Sequence, residues 1–215
     1  CQIMALRFLG PGGGYTSDAV RAVQYAANKG VKLSNNSWGG GGYSSALYSA
    51  IQSAGNLGHL FLAAAGNDGT NNDATPHYPS NYNLPNVISV AATDNRDQLA
   101  GFSNYGTSSV DIAAPGVNIV SSTWGSYYYF NGTSMATPNV TGTAALILSQ
   151  NPGFGFAEIR ERLLSTARPV PGLSGVIGTG GVVNALAALS VAPPVPVPVG
   201  PTDLVAAAGG TSTVT

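Results

Sequence analysis

The sequence predicts an α/β domain built on a parallel sheet, on three observations. Apolar stretches too short for membrane spans alternate with segments of helical periodicity in the order strand, helix, strand, helix, strand, the pattern of a parallel sheet with crossover helices. The candidate strands read as continuous apolar runs, as expected of strands covered on both faces. A 215-residue chain that is 44% hydrophobic can bury a full single-domain core.

The elements follow in order. "QIMALRFL" (residues 2–9) reads as an opening apolar strand. Ser17 or Asp18 is a good N-cap for a helix carrying Ala19, Val20, Val23, Ala26 and Ala27 on one stripe, with Gly30 as its stop. "VKLSNNSW" follows as a short strand, and Ser44 opens a second helix through "ALYSAIQSAG", closed by Gly55. "HLFLAAAGN" is short enough for a buried strand. Residues 66–85 are rich in turn formers, and "VISVAATD", "VDIAAPG" and "NIVSS" are three further strands. A helix starts near Ser134 and runs to Asn151-Pro152, with Pro138 tolerated on the premise that it lies in the first turn. "FAEIRERLLSTA" is an amphipathic helix and "VVNALAALS" the last one. After Val191 the character changes: residues 192–201 place five prolines among small apolar residues, a semi-rigid linker, and residues 202–215 have strand-like ends around a Gly-Gly turn.

Composition narrows the function. Charged residues make up 8% of the chain, against about 25% in an ordinary soluble protein. With eight Lys and Arg and a net charge of −1 there is no basic stripe for a phosphate backbone or an anionic membrane surface, so nucleic acid and membrane are not expected partners. No apolar run approaches the roughly 20 residues a bilayer span needs. Cys1, the one cysteine, has no internal disulfide partner.

The chemistry centres on "GTSMATPNVTG", Gly132–Gly142. A serine at a helix N-terminus sits beside unpaired N–H groups and the positive end of the helix dipole, which favour negative charge developing nearby. An N-cap role is the alternative reading of Ser134 from spacing alone. The segment closely resembles the nucleophile motif of the subtilisin-like serine proteases, the subtilases, with Asn139 where histidine is commonest and Thr141 where a small residue is usual. "LAAAGNDG", "NNSWGG", "FSNYG" and "DIAAPG" resemble further segments of that family in the same order.

The resemblance spans about residues 2–190 and implies a three-layer subtilisin-like fold, a mostly parallel sheet with helices on both faces, truncated at its N-terminus. It implies Ser134 as nucleophile and Asn67 as side-chain donor of an oxyanion hole. Ser37, Trp38 and Gly39 would pair with an extended polypeptide substrate as an added β-strand, and with Ala64, Ala65 and Gly66 would wall the P1 pocket. Phe130, in the aromatic run "SYYYF", would border the leaving-group side; a row of surface tyrosines on a strand explains that run equally well. The carbonyls of Pro85 and Val87 with the carboxylate of Asp111 resemble a calcium site of some family members, so structural calcium is an expectation, while the chemistry needs no cofactor. Residues 202–215 resemble the start of a fibronectin type III module.

The base is missing. Neither His59, at the start of an apolar run, nor His77, in a loop, lies in the family's histidine motif, and both read as structural. In the family the triad Asp and His precede the strand that "QIMALRFL" resembles, so both are expected upstream of Cys1. The expected function is a secreted, monomeric serine endopeptidase, assisted or not by a propeptide, of which this stretch alone is nearly inactive. A non-catalytic peptide-binding relative is the alternative; an α/β-hydrolase is set aside because Gly-Thr-Ser-Met-Ala is not its nucleophile elbow.

Overall fold

The computed structural model describes residues 1–190; the proline-rich linker and the fibronectin-like segment read from sequence lie outside the described residues. Among the described residues five α-helices, α1 (Thr16–Asn28), α2 (Ser45–Asn56), α3 (Thr133–Gln150), α4 (Phe156–Ser165) and α5 (Ala185–Ser190), join eight strands. These are β1 (Leu33–Asn36), β2 (Leu60–Ala64), β3 (Val87–Thr93), β4 (Ile112–Pro115), β5 (Ile119–Thr123), β6 (Ser126–Phe130), β7 (Arg168–Pro169) and β8 (Gly181–Val182). The main sheet has the order β1-β2-β3-β4-β8-β7, parallel except at β7, while β5 and β6 form a separate antiparallel ribbon.

Side chains alternate across the sheet, and both faces are covered, which makes three layers. Leu60 and Leu62 of β2, Ile88, Val90 and Ala92 of β3 and Ile112 and Ala114 of β4 face Ala136, Val140, Ala144 and Ile147 of α3, with Ile159 and Leu163 of α4 beyond. Phe61 and Ala63 of β2 and Val87 of β3 face the other way, against Val23 and Ala27 of α1 and Ala50, Ile51 and Ala54 of α2. Helix α3 thus lies along one face of the sheet, its first turn at the carboxyl ends of the strands.

Local chemistry corrects several boundaries. Helix α1 starts at Thr16 without a side-chain cap, so Ser17 and Asp18 lie inside its first turn, where the Asp18 carboxylate suits the helix dipole and pairs with Arg21. Gly30 does end it, at φ 74°. Ser44 caps α2 by accepting the Leu47 N–H at 3.3 Å. That helix continues past Gly55 to Asn56, and Gly55 is small for another reason: a Cβ there would lie 2.6 Å from Cγ of Asn86. The Asn86 amide donates to the carbonyls of Ile51 and His59, tying α2 to the sheet.

Residues 2–9 are not a strand. No described strand pairs with them, and Ile3, Met4, Leu6 and Leu9 are exposed, while Phe8 packs edge-on against Trp38 at 5.0 Å. Apolar content alone does not make a strand; a partner does.

His59, fully buried, has its Nδ1 2.7 Å from the Val31 carbonyl and its Nε2 2.7 Å from Ser34 Oγ. The carbonyl can only accept, so Nδ1 donates and Nε2 accepts from Ser34. Burial holds this imidazole's pKa below the ordinary value. As pH falls below about 6.5 the unfolded chain takes up a proton that folded His59 refuses, so stability is lost, at most about 1.4 kcal/mol per pH unit. Denaturant midpoints are therefore expected to fall between pH 7 and pH 5.5; an unchanged midpoint would contradict a neutral, buried His59.

Candidate active site

The carboxyl ends of β1 and β2 and the start of α3 converge, the place where parallel sheets generally bind ligands. A cavity of about 330 Å³ lies there, and it brings together Ser134, Asn67, Trp38, Gly39, Ala64 and Gly66. A larger depression of about 640 Å³, between residues 5–10 and α1, is lined by no serine or histidine.

Ser134 is the second residue of α3; its cap is Gly132, so the serine is not the N-cap. Gly132 takes φ 156° and its N–H donates to the Gly116 carbonyl at 2.8 Å, which fixes the entry of the chain into the helix. The N–H of Ser134 has no protein acceptor among the described residues and points out of the helix start, as first-turn amides do.

Asn67 follows β2 closely, and its amide is oriented by buried Thr133. The backbone N–H and the hydroxyl of Thr133 both donate to Asn67 Oδ1, at 2.8 and 3.0 Å, and the Gly66 N–H donates to Thr133 Oγ1 at 3.3 Å. With Oδ1 engaged twice, Nδ2 turns away from the Thr133 donors, with no protein partner among the described residues. Two uncommitted N–H donors, from Asn67 and Ser134, thereby edge one cavity.

Ser37 and Ser134 are linked reciprocally. Ser37 Oγ donates to the Ser134 carbonyl at 2.8 Å, and Ser134 Oγ donates to the Ser37 carbonyl at 3.3 Å. Pro138 explains the first bond. Counting from Thr133 it is the sixth helical residue and lies in the second turn, not the first. Having no N–H, it leaves the Ser134 carbonyl without its usual i+4 donor, and the Ser37 hydroxyl supplies one.

Trp38 is braced by its indole N–H on Asn36 Oδ1 at 3.2 Å and by edge-on contacts with Phe8 and Phe61. Two residues expected on the P1 wall, Ser37 and Ala65, are not on the cavity's lining. Ala65 is buried behind it, with Ala91 and Val110, because its side chain follows the alternation of β2 onto the core face. Phe130 ends the β5–β6 ribbon, whose Tyr127, Tyr128 and Tyr129 are exposed, as the surface-tyrosine reading has it.

His77 is a cavity residue that local sequence does not reveal. Its loop folds back so that the ring lies against Gly39 and Gly66, respectively 38 and 11 residues earlier in the chain. Thr133, by contrast, stands inside the quoted motif, and its role becomes visible once Asn67 is beside it.

No base touches the nucleophile among the described residues. His59 is committed to Val31 and Ser34, and the nearest polar group to His77 Nδ1 is Ser80 Oγ at 3.4 Å.

At Asp111 the arrangement does not fit calcium. One carboxylate oxygen takes the Arg160 guanidinium at 2.8 Å and the other the Ser89 N–H at 2.7 Å. A divalent cation there would face the guanidinium charge, and no group of three or more His, Cys, Asp or Glu among the described residues could hold a metal. Burial raises the Asp111 carboxyl pKa, against the pull of Arg160 and the Ser89 N–H. Arg160→Met is expected to lower stability by about 1–3 kcal/mol, discounted from a fully buried pair because both side chains are partly exposed. Thermal melts would show this.

A sequence profile described as "Subtilase family" matches residues 1–180. Among curated relatives, a thermophilic serine proteinase of Bacillus sp. (strain AK1) is 42% identical over 173 residues, which is 80% of this chain and 41% of the relative. Subtilisin Savinase of Lederbergia lenta is 40% identical over 189 residues, 87% of this chain and 67% of the relative. An alkaline protease of Alkalihalobacillus alcalophilus is also 40% identical, with 48% of its length covered. Among solved structures, a protease from Pseudoalteromonas arctica PAMC 21717 superposes with a TM-score of 0.76 at 34% identity, over 85% of this chain and 60% of the other. The chain therefore spans between two fifths and two thirds of the length of these relatives.

Proposed function

Since the chain belongs to the subtilase family, we propose that it carries the nucleophile and oxyanion hole of a secreted serine endopeptidase whose triad Asp and His are supplied by sequence upstream of Cys1. The observation that carries the proposal is the pair of uncommitted donors, Asn67 Nδ2 and the Ser134 N–H, at one cavity with the Ser134 hydroxyl.

In the proposed reaction a polypeptide lies along residues 37–39 as an added strand and presents its P1 side chain to the cavity. The upstream histidine takes the proton from Ser134 Oγ as that oxygen attacks the scissile carbonyl. The developing oxyanion accepts from Asn67, whose amide Thr133 holds, and from the Ser134 N–H. Collapse expels the amine, protonated by the same histidine, and water then hydrolyses the acyl-serine. Ser37 acts on this sequence by position: its hydroxyl holds the Ser134 carbonyl and its own carbonyl holds Ser134 Oγ until a base takes over. The chemistry calls for no cofactor, and the enzyme works as a monomer; a propeptide would act in folding.

The test is to express the chain together with its upstream coding sequence and treat it with a fluorophosphonate. Labelling of Ser134 with peptide hydrolysis supports the proposal, and an upstream segment lacking both Asp and His would leave a peptide-binding relative that does not cut.

A further inference from the structure

Resting on the protease reading of this cavity, we propose that Asn104 and Asn72 are positioning residues for the oxyanion donor. Both are buried and neither is on the cavity's lining; together they clamp the turn that carries Asn67 and so set how well its amide meets the developing charge.

Asn67 lies in the turn that leaves β2, and its own main chain makes no hydrogen bond among the described residues. Its neighbours on both sides are held instead. Before it, the Ala65 N–H donates to the Val90 carbonyl of β3 at 3.0 Å, and the Ala65 carbonyl accepts from Asn72 Nδ2 at 2.8 Å. After it, the N–H groups of Asp68 and Thr70 both donate to Asn104 Oδ1, at 2.8 and 3.2 Å. Asn104 Nδ2 donates to Asn72 Oδ1 at 3.0 Å, which joins the two grips into one.

The chain of bonds dictates how both amides are turned. Two N–H donors face one atom of the Asn104 amide, so that atom is Oδ1 and the atom towards Asn72 is Nδ2. Asn72 must then present Oδ1 to Asn104, which leaves its Nδ2 for the Ala65 carbonyl, a group that can only accept. The main chain of residue 104 belongs to the same grip: its N–H donates to the Gly66 carbonyl at 3.0 Å, and a Cβ on Gly66 would collide with Asn104 Nδ2. The amide therefore lies against the residue immediately before Asn67. Breaking the clamp strands buried donors and acceptors, a cost the turn relieves by moving.

Thr133 and the clamp divide the work. Thr133 orients the Asn67 side chain through Oδ1, whereas the clamp places the main chain from which that side chain extends. A misplacement on the order of 1 Å in an active site costs about 10²-fold in rate. The loss from releasing the clamp is bounded by the loss of the donor itself, about 10²–10³-fold in a subtilisin.

Asn104→Ala, in a protein that carries this chain with the Asp and His proposed to precede it, is expected to lower kcat for a peptide amide by about ten- to a hundredfold, per titrated active site and with KM within about twofold. The deciding measurement is a double-mutant cycle. In an Asn67→Ala background the same substitution should change kcat by less than about threefold, because no donor remains to be misplaced; a merely structural role leaves the two losses multiplying. Asn72→Ala frees the Ala65 carbonyl but keeps the bonds from Asp68 and Thr70 to Asn104 and its own main-chain bonds to Tyr105 and Asn81. It should lower kcat by about five- to thirtyfold, with the same disappearance when Asn67 is absent, and it carries the test if Asn104→Ala does not fold. A kcat within about threefold of the unsubstituted protein, or an equal loss with and without Asn67, overturns the proposal. If the unsubstituted protein cleaves no peptide, or Asn67→Ala leaves kcat unchanged, the reading of the site itself fails and the clamp's role falls with it.

Discussion

Ser134→Ala, in a protein that carries this chain with the Asp and His proposed to precede it, is expected to lower kcat by about 10⁶-fold with little change in KM. That size is the one established for a subtilisin, a relative of this chain. The direction follows from the structure. Ser134 and Asn67 line the same cavity, and loss of the Ser134 hydroxyl leaves the pocket walls, the Thr133–Asn67 bonds and the sheet intact. The measurement is a single-turnover assay with active-site titration. A fall of less than about a hundredfold would place the nucleophile elsewhere. Residues 1–215 alone are likewise expected to be nearly inactive: without a base, an intact serine contributes about as little as a missing one.

Asn67→Ala is expected to lower kcat by about 10²–10³-fold, again the size known for such a donor in a subtilisin. The loss should fall on kcat and not on KM, because an oxyanion donor acts on charge that appears in the transition state. The structure adds a control. Thr133 fixes the amide through Oδ1, so Asn67→Asp keeps an acceptor for both Thr133 donors while replacing the Nδ2 donor by an oxygen. If that variant retains full activity, the Thr133–Asn67 contact matters for packing alone and the oxyanion assignment fails. If both variants lose turnover and keep their melting temperature, the assignment stands.

Much of this is legible in the sequence because it rests on contiguous residues. The motif at residues 132–142 carries its own helix start, and the continuous apolar runs at residues 60–64 and 87–93 have the length and composition of strands buried on both faces. The rest depends on residues that meet across the chain. Residues 2–9 are largely apolar, and what denies them strand character is the want of a neighbour, which no local pattern records. His77 reads as a loop histidine because the glycines that receive its ring lie in two other segments. Arg160 takes the charge of Asp111 from a helix 49 residues later, so a pattern of oxygen ligands that is complete along the chain has its carboxylate already paired in space. Pro138 lies one turn deeper in its helix than the motif suggests, and the consequence, a carbonyl released to Ser37, appears when the two elements are side by side.

The layer between α3 and the sheet has a bearing on how this chain can change. Ala92 and Ala114 on the strands meet Ala136 and Ala144 on the helix, which also buries Thr133 and Thr137, so many positions there already hold small side chains. Accepted variation at such a layer is one-sided. Trimming has little left to remove, whereas each added methylene must displace close-packed neighbours, at about 1–3 kcal/mol or more. Sequence drift and engineering alike therefore have their freedom on the outer surface, where ion pairs such as Arg168–Asp97 are half-exposed and charge is sparse enough that added pairs have few like-charged neighbours to oppose them.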